Sequence, residues 1–212
     1  MEVQIEKIVS QTNVQIAYNQ VLGNKGSSGI DGMGVSELKP YLKSHWTGVK
    51  SQLLTGKYKP SLVRRVSIDK PNGGKRHLGI PTVLDRMIQH SISQELVKNY
   101  DAGFSDYSYG FRPGKDAHQA LERSLCLINS GYEYMVSIDL SKFFDRVHHD
   151  RLMSKLSKDM TDKRVLLLIR SYLQSGIMIE GVLHRPTQGT PQGGNLSPIL
   201  SNIVLDLSLI HI

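Results

Sequence analysis

The stretch YMVSIDLSKFFDRVHHDRLM, residues 134–153, decides how the rest of the chain is read. Tyr134 to Ile138 reads as a core strand ending in Asp139, followed by a short turn and a helix near 150–158. A carboxylate leaving a buried strand beside a turn offers a hard oxygen ligand on a rigid element, which divalent-metal chemistry on phosphates requires. The same spacing also fits an aspartate that caps a turn, with Phe143 and Phe144 as core residues. His148, His149 and Asp150 are adjacent at the start of a helix and do not converge on one ion, so they are read as the beginning of that helix.

Downstream, the pattern predicts a helix over 162–174 and a strand from Ile177 to Leu183. A glycine- and proline-rich loop, PTQGTPQGG, follows, and then a helix from Ser197 to Leu205. Within QGTPQGG, 188–194, the small residues beside Gln188 and Gln192 suit a backbone that packs against a base or sugar, and equally an ordinary turn. Upstream, residues 2–22 predict one opening helix with a possible break. Residues 24–34, NKGSSGIDGMG, read as a loop, and 35–55 as a helix broken at Pro40. Leu62 to Ile68 and Lys75 to Ile80 flank the PNGG turn as a hairpin whose rim carries Arg64, Arg65, Lys70, Lys75 and Arg76. Two cations, Lys70 and Arg76, beside a glycine turn can grip a triphosphate, or simply be solvated. Thr82 is placed to cap a helix through Val97, and Ala117 to Ile128 reads as another amphipathic helix, each expected to bury one face. Cys126 on the latter is read as core filling.

Composition narrows the class. Lys and Arg number 26 against 19 Asp and Glu, a formal charge of +7, with a pI near 9.4. That excess favours a polyanionic partner such as nucleic acid. With 39% hydrophobic and 21% charged residues the chain can bury a core, which excludes disordered and fibrous classes. The single cysteine excludes an internal disulfide framework, and no apolar run is long enough for a membrane span, so an intracellular protein is expected.

Five blocks, taken together and in order, resemble the reverse transcriptases encoded by bacterial mobile group II introns: GSSGIDG (26–32), VRRVSIDKPNGGKRHLGIPTVLDRMIQ (63–89), SYGFRPGKDAHQAL (108–121), SIDLSKFFDRVHHDRLM (137–153) and QGTPQGGNLSPILSNIVLD (188–206). The resemblance implies an α+β, right-hand polymerase fold of fingers and an incomplete palm, with helices packed on a small antiparallel sheet. It divides the chain into fingers (1–133), partial palm (134–206) and a tail (207–212). It implies RNA-directed DNA synthesis with a maturase role in splicing, two magnesium ions and a deoxynucleoside triphosphate substrate. The implied partners are an RNA template, intron RNA and a DNA primer, in a bacterial cytoplasm and without membrane contact.

Roles carry over by position. Asp139 matches the first catalytic aspartate, a ligand of both magnesium ions together with the Leu140 carbonyl. Phe144, beside Phe143, matches the aromatic gate that packs under the deoxyribose. Lys70 and Arg76 match the triphosphate grip, and Gln192 matches a glutamine that contacts the nucleotide. The loop containing Gly29, Ile30, Asp31 and Gly32 resembles one that covers the template, with Arg64, Arg65 and Arg112 as candidate phosphate or template contacts.

The family's paired aspartates do not occur in this sequence, so the 212 residues are expected to be inactive in polymerisation on their own and to expose sheet backbone and apolar surface. The closing LSLIHI matches a translated transposon end used in sequencing libraries, and Leu207 to Ile212 are expected to be non-native. Two other readings stay open at this point: an RNA-binding maturase fragment without catalysis, and a CRISPR-associated or retron-type reverse transcriptase.

Overall fold

A computed structural model describes residues 2–69, 71, 73–179, 182–184, 187–190 and 194–209, with the side chains of 76, 179, 182 and 207–209 left aside. The opening helix is two: α1 (Ile5–Ile8) and α2 (Gln11–Gly23). Ser10 makes the break, its hydroxyl accepting from the Asn13 amide and capping α2. A 3-10 turn, Val35–Glu37, leads into α3 (Leu38–Leu54). Pro40 does not break α3 as expected. It lies in the first turn, where an amide N–H has no intrahelical acceptor to lose.

Strands β1 (Val63–Asp69) and β2 (Lys75–Ile80) form the expected antiparallel hairpin, with Ile68 opposite Arg76. The sequence then enters α4 (Val83–Tyr100), capped by Thr82, whose hydroxyl accepts from the Asp85 amide at 3.1 Å. Met87, Ile88, Ile92 and Leu96 are almost fully buried. Trimming any one of them to alanine is expected to cost about 2–5 kcal/mol. Asn13 of α2 packs against this buried side, beside Ser91. Its side-chain amide donates to the carbonyls of Ile8 and Ser91, both at 2.9 Å.

The remaining elements are α5 (Ala117–Asn129), α6 (Phe143–Arg146), α7 (His149–Asp159), α8 (Lys163–Leu173), β3 (Ile177–Ile179), β4 (Val182–His184) and α9 (Ser197–Leu209). The sheet order is β2-β1-β3-β4. It is mixed and not antiparallel as expected, since β1 and β3 run parallel, with Val63 opposite Ile177 and Arg64 opposite Met178. The crossover between them contains α4 to α8, long enough to bring β3 back in the same direction. The expected strand at 177–183 is resolved into β3 and β4.

One hydrophobic core, from Val3 to Ile203, crosses the expected boundary at 133/134. Arg164 at the start of α8 pairs with Glu6 of α1 at 2.7 Å and with Asp162 at 2.8 Å, while the Asp162 carboxylate accepts from the Ile5 amide at 3.0 Å.

Two expectations fail between α4 and α6. Tyr134 to Ile138 is not a core strand: it pairs with no strand among the described residues, and Val136 is 82% exposed. A strand's amides and carbonyls need a neighbouring strand, and an isolated one has no hydrogen-bonding gain to offset its ordering. Nor does α5 bury a face. Leu121, Leu125 and Ile128 share one side of the helix and all are exposed, and Cys126 is a free, exposed thiol instead of core filling.

Candidate nucleotide and template site

Two loops are held in place by specific contacts. The first, 24–34, lies against the start of α4 and the base of β1. Arg64 donates from Nη2 to the Ser28 carbonyl at 2.7 Å. Gly29 is buried, and a Cβ there would come within 2.6 Å of Thr82 Cα, so only glycine lets the two backbones approach this closely. Ile30, Asp31 and Gly32 form the exposed tip, where the Asp31 carboxylate turns back to accept from the Met33 amide at 3.2 Å. The loop is thus anchored at its base and open at its tip.

Arg86, which sequence reasoning passed over, lies under the same loop. A Cβ added at Gly26 would meet its Nη1 at 2.5 Å, while Nε and Nη2 are buried without a partner among the described residues. Burial, opposed by nearby Asp31, pushes this guanidinium below the ordinary arginine value. Its position directly after the capped first turn of α4 carries no distinguishing periodicity, so spacing alone does not reveal it.

The second loop is the glycine-rich segment after β4. Gly189 donates its amide to the Val147 carbonyl at 2.8 Å, and Thr190 donates to the Phe144 carbonyl at 2.7 Å. His149 closes the contact through Nε2, 2.6 Å from the Gly189 carbonyl oxygen. Phe143 and Phe144 are half-buried and meet edge to face, with centroids 5.9 Å apart. Lys142, with φ +53°, turns the chain into α6, and the Leu140 carbonyl accepts from the Phe143 amide at 3.2 Å. The expected sugar gate and the expected nucleotide loop are therefore joined through their backbones. The signal for His149 was present in the sequence, since positions 149, 152 and 156 form one apolar face of α7 and all three are buried. His148, at the helix start as read, caps it, accepting from the Arg151 amide at 3.4 Å.

Arg65 is half-buried on β1. Arg112 is engaged within the protein. Its guanidinium donates to the Asp101 carboxylate at 2.8 Å and to the carbonyls of Asp101, Ser105 and Ser108, and it lies over the Phe104 ring. With these acceptors in place its donors are spent on shaping residues 101–112. Arg76 is placed by its backbone on β2, while Lys70 and Gln192 lie outside the described residues. Asp139 is exposed, and among the described residues no group of three His, Cys, Asp or Glu side chains converges to hold a metal. The described residues thus offer one candidate carboxylate and do not by themselves fit a two-magnesium site.

A basic hairpin, an anchored exposed loop and a glycine-rich loop docked on paired aromatics, all carried by helices on a small mixed sheet, make up the reverse transcriptase fold. The chain belongs to the family "Reverse transcriptase (RNA-dependent DNA polymerase)", which matches residues 68–212. It is 35% identical over 191 residues to Protein YkfC of Escherichia coli, covering 87% of this chain and 50% of that protein. It is also 35% identical over 198 residues to the group II intron-encoded protein LtrA of Lactococcus lactis, covering 90% of this chain and 32% of that one. A putative COX1/OXI3 intron 1 protein of Saccharomyces cerevisiae is 31% identical over 195 residues, 92% of this chain and 23% of that protein. The chain therefore spans half the length of the first of these relatives and less of the others. Among solved structures, a chain of a partial Cas6-RT-Cas1–Cas2 complex superposes with a TM-score of 0.64 at 23% identity, over 95% of this chain and 34% of that one, which bears on the fold alone. Among the described residues no helix is long and apolar enough to cross a membrane.

Proposed function

We propose that this chain supplies the template- and nucleotide-gripping part of a group II intron-type RNA-directed DNA polymerase, which copies intron RNA and assists its splicing. The observation that carries this reading is the docking of Gly189 and Thr190 onto Phe144 and Val147, in a chain of this family. It sets Gly189 and Thr190 beside Phe144, which in this reading packs under a deoxyribose. In this reading Phe144, flanked by Phe143, excludes a 2′-hydroxyl, and Gln192 contacts the nucleotide. Lys70 and Arg76 neutralise its phosphates. Asp139 and the Leu140 carbonyl are magnesium ligands, and the paired aspartates that would complete the site do not occur in these 212 residues. Gly29 to Gly32 cover the RNA template, with Arg64 and Arg86 holding the loop from below and Arg65 beside the strand. The division into fingers and palm at 133/134 belongs to the same proposal.

The test uses the complete protein of the source gene with an RNA template, a DNA primer and deoxynucleotides. Asp139→Asn is expected to abolish DNA synthesis while RNA binding persists, and Phe144→Ala to admit ribonucleotides. Undiminished synthesis by Asp139→Asn would remove the metal assignment. RNA binding and splicing assistance with no synthesis by the unaltered protein would replace the polymerase reading with that of an RNA-binding maturase.

A further inference from the structure

His149 is 3% exposed, sits at the first turn of α7 and directs its ring at a single backbone atom. A carbonyl oxygen only accepts, so the 2.6 Å contact to Gly189 requires the proton on Nε2. Around that bond the loop has little freedom. Gly189 has φ +89°, and a Cβ there would fall 2.9 Å from the Asp145 carbonyl oxygen and 3.0 Å from its carbon. Its amide and that of Thr190 are tied to Val147 and Phe144. The amides of Gly189 and Thr190 and the Gly189 carbonyl are thus all fixed to the segment 144–149, and the chain reaches Gln192 two residues later.

We propose that His149 is a positioning residue for nucleotide selection: its Nε2–H clamps Gly189 so that Gly189 and Thr190 keep register with Phe144. This rests on the polymerase reading above. The histidine touches neither nucleotide nor reacting atoms, and it acts by fixing the distance between the loop and the gate. A hydrogen bond to a buried carbonyl is suited to this, because removing the donor leaves that oxygen unsatisfied and the loop free to shift.

The complete protein is assayed on an RNA template with dTTP against UTP. His149→Ala is expected to raise KM for dTTP about tenfold with kcat changed less than about threefold, and to weaken discrimination against UTP. His149→Gln, whose amide can donate to the same carbonyl, recovers much of both. Gly189→Ala, which disturbs the loop from the other side, is expected to give the same split and serves if His149→Ala does not fold. Unchanged KM and discrimination in both variants, or equal losses for the Ala and Gln substitutions, overturns the proposal. If the unaltered protein makes no DNA, amide exchange decides the clamp separately. Faster exchange at Gly189 and Thr190 in His149→Ala, with α4 unchanged, retains the clamp while the polymerase reading falls. Unchanged exchange at those two amides overturns it.

Discussion

Tyr172 of α8 donates its hydroxyl to Asp85 of α4 at 3.0 Å, so a helix from each side of the expected fingers and palm boundary shares one buried carboxylate. Asp85 is 1% exposed and accepts further from Tyr58 at 2.8 Å, the Thr82 hydroxyl at 2.8 Å and the Ser61 amide at 3.0 Å. Burial pushes its carboxyl above the usual range even though these donors favour the charge, and the Tyr58 and Tyr172 hydroxyls are pushed up by burial and by the adjacent carboxylate. The network fixes the start of α4, under the 24–34 loop, against α8, which leads into β3.

Tyr172→Phe removes one donor to that carboxylate and should lower stability by about 1 kcal/mol. Asp85→Ala leaves several buried donors unmet and should cost about 3 kcal/mol or more. Denaturant unfolding of the two variants checks the order; equal, negligible losses would show that the network contributes nothing net.

Asp162 should make the fold acid-sensitive. Burial acts to raise its carboxyl, but hydrogen bonds from Arg164 and the Ile5 amide hold it below the ordinary value. A depressed carboxylate adds stability that is fully present above its unfolded pKa of about 4 and is lost as pH falls through the lower folded-state value. Asp162→Asn should therefore melt lower at neutral pH and lose less of its stability between neutral and acid conditions, read by melting temperature across pH.

Gly29→Ala should displace the 24–34 loop, because the new Cβ would meet the backbone of Thr82. Gly32→Ala meets open space and carries only the cost of φ +74°, about 1 kcal/mol. In RNA-binding titrations Gly29→Ala is expected to lose more affinity than Gly32→Ala, and the reverse order would sink the close-approach argument.

Arg112→Ala should open residues 101–112 to protease, with little change in the salt dependence of RNA binding. A phosphate contact would instead lower the salt slope by about one counterion without new cleavage.

The exposed apolar side of α5 and the exposed stretch 134–140 should bind a hydrophobic dye in the 212-residue chain. Replacing Leu125 and Val136 by lysine should reduce both dye binding and self-association, seen by fluorescence and sedimentation.

Much of the architecture was legible because it is local. The Thr82 cap, the PNGG hairpin, the 3.6-residue repeat of α4 and the boundaries of α7 and α8 depend on groups a few residues apart along the chain. Pro40 was misread by one turn, since spacing does not say where a helix's unsatisfied amides begin.

By itself the sequence determined the hairpin, most of the longer helices and the order of the five family blocks. Only the tertiary structure decided which polar side chains are already engaged. Arg112 is spent on Asp101 and its neighbouring carbonyls, Arg64 is tied through Nη2 to the Ser28 carbonyl and His149 to Gly189, while Tyr134 to Ile138 finds no strand partner among the described residues. Hydrogen-bond partners far apart in sequence, such as Tyr172 and Asp85, are chosen by the way the helices pack, and an individual polar pairing of that kind leaves no periodic trace in the chain.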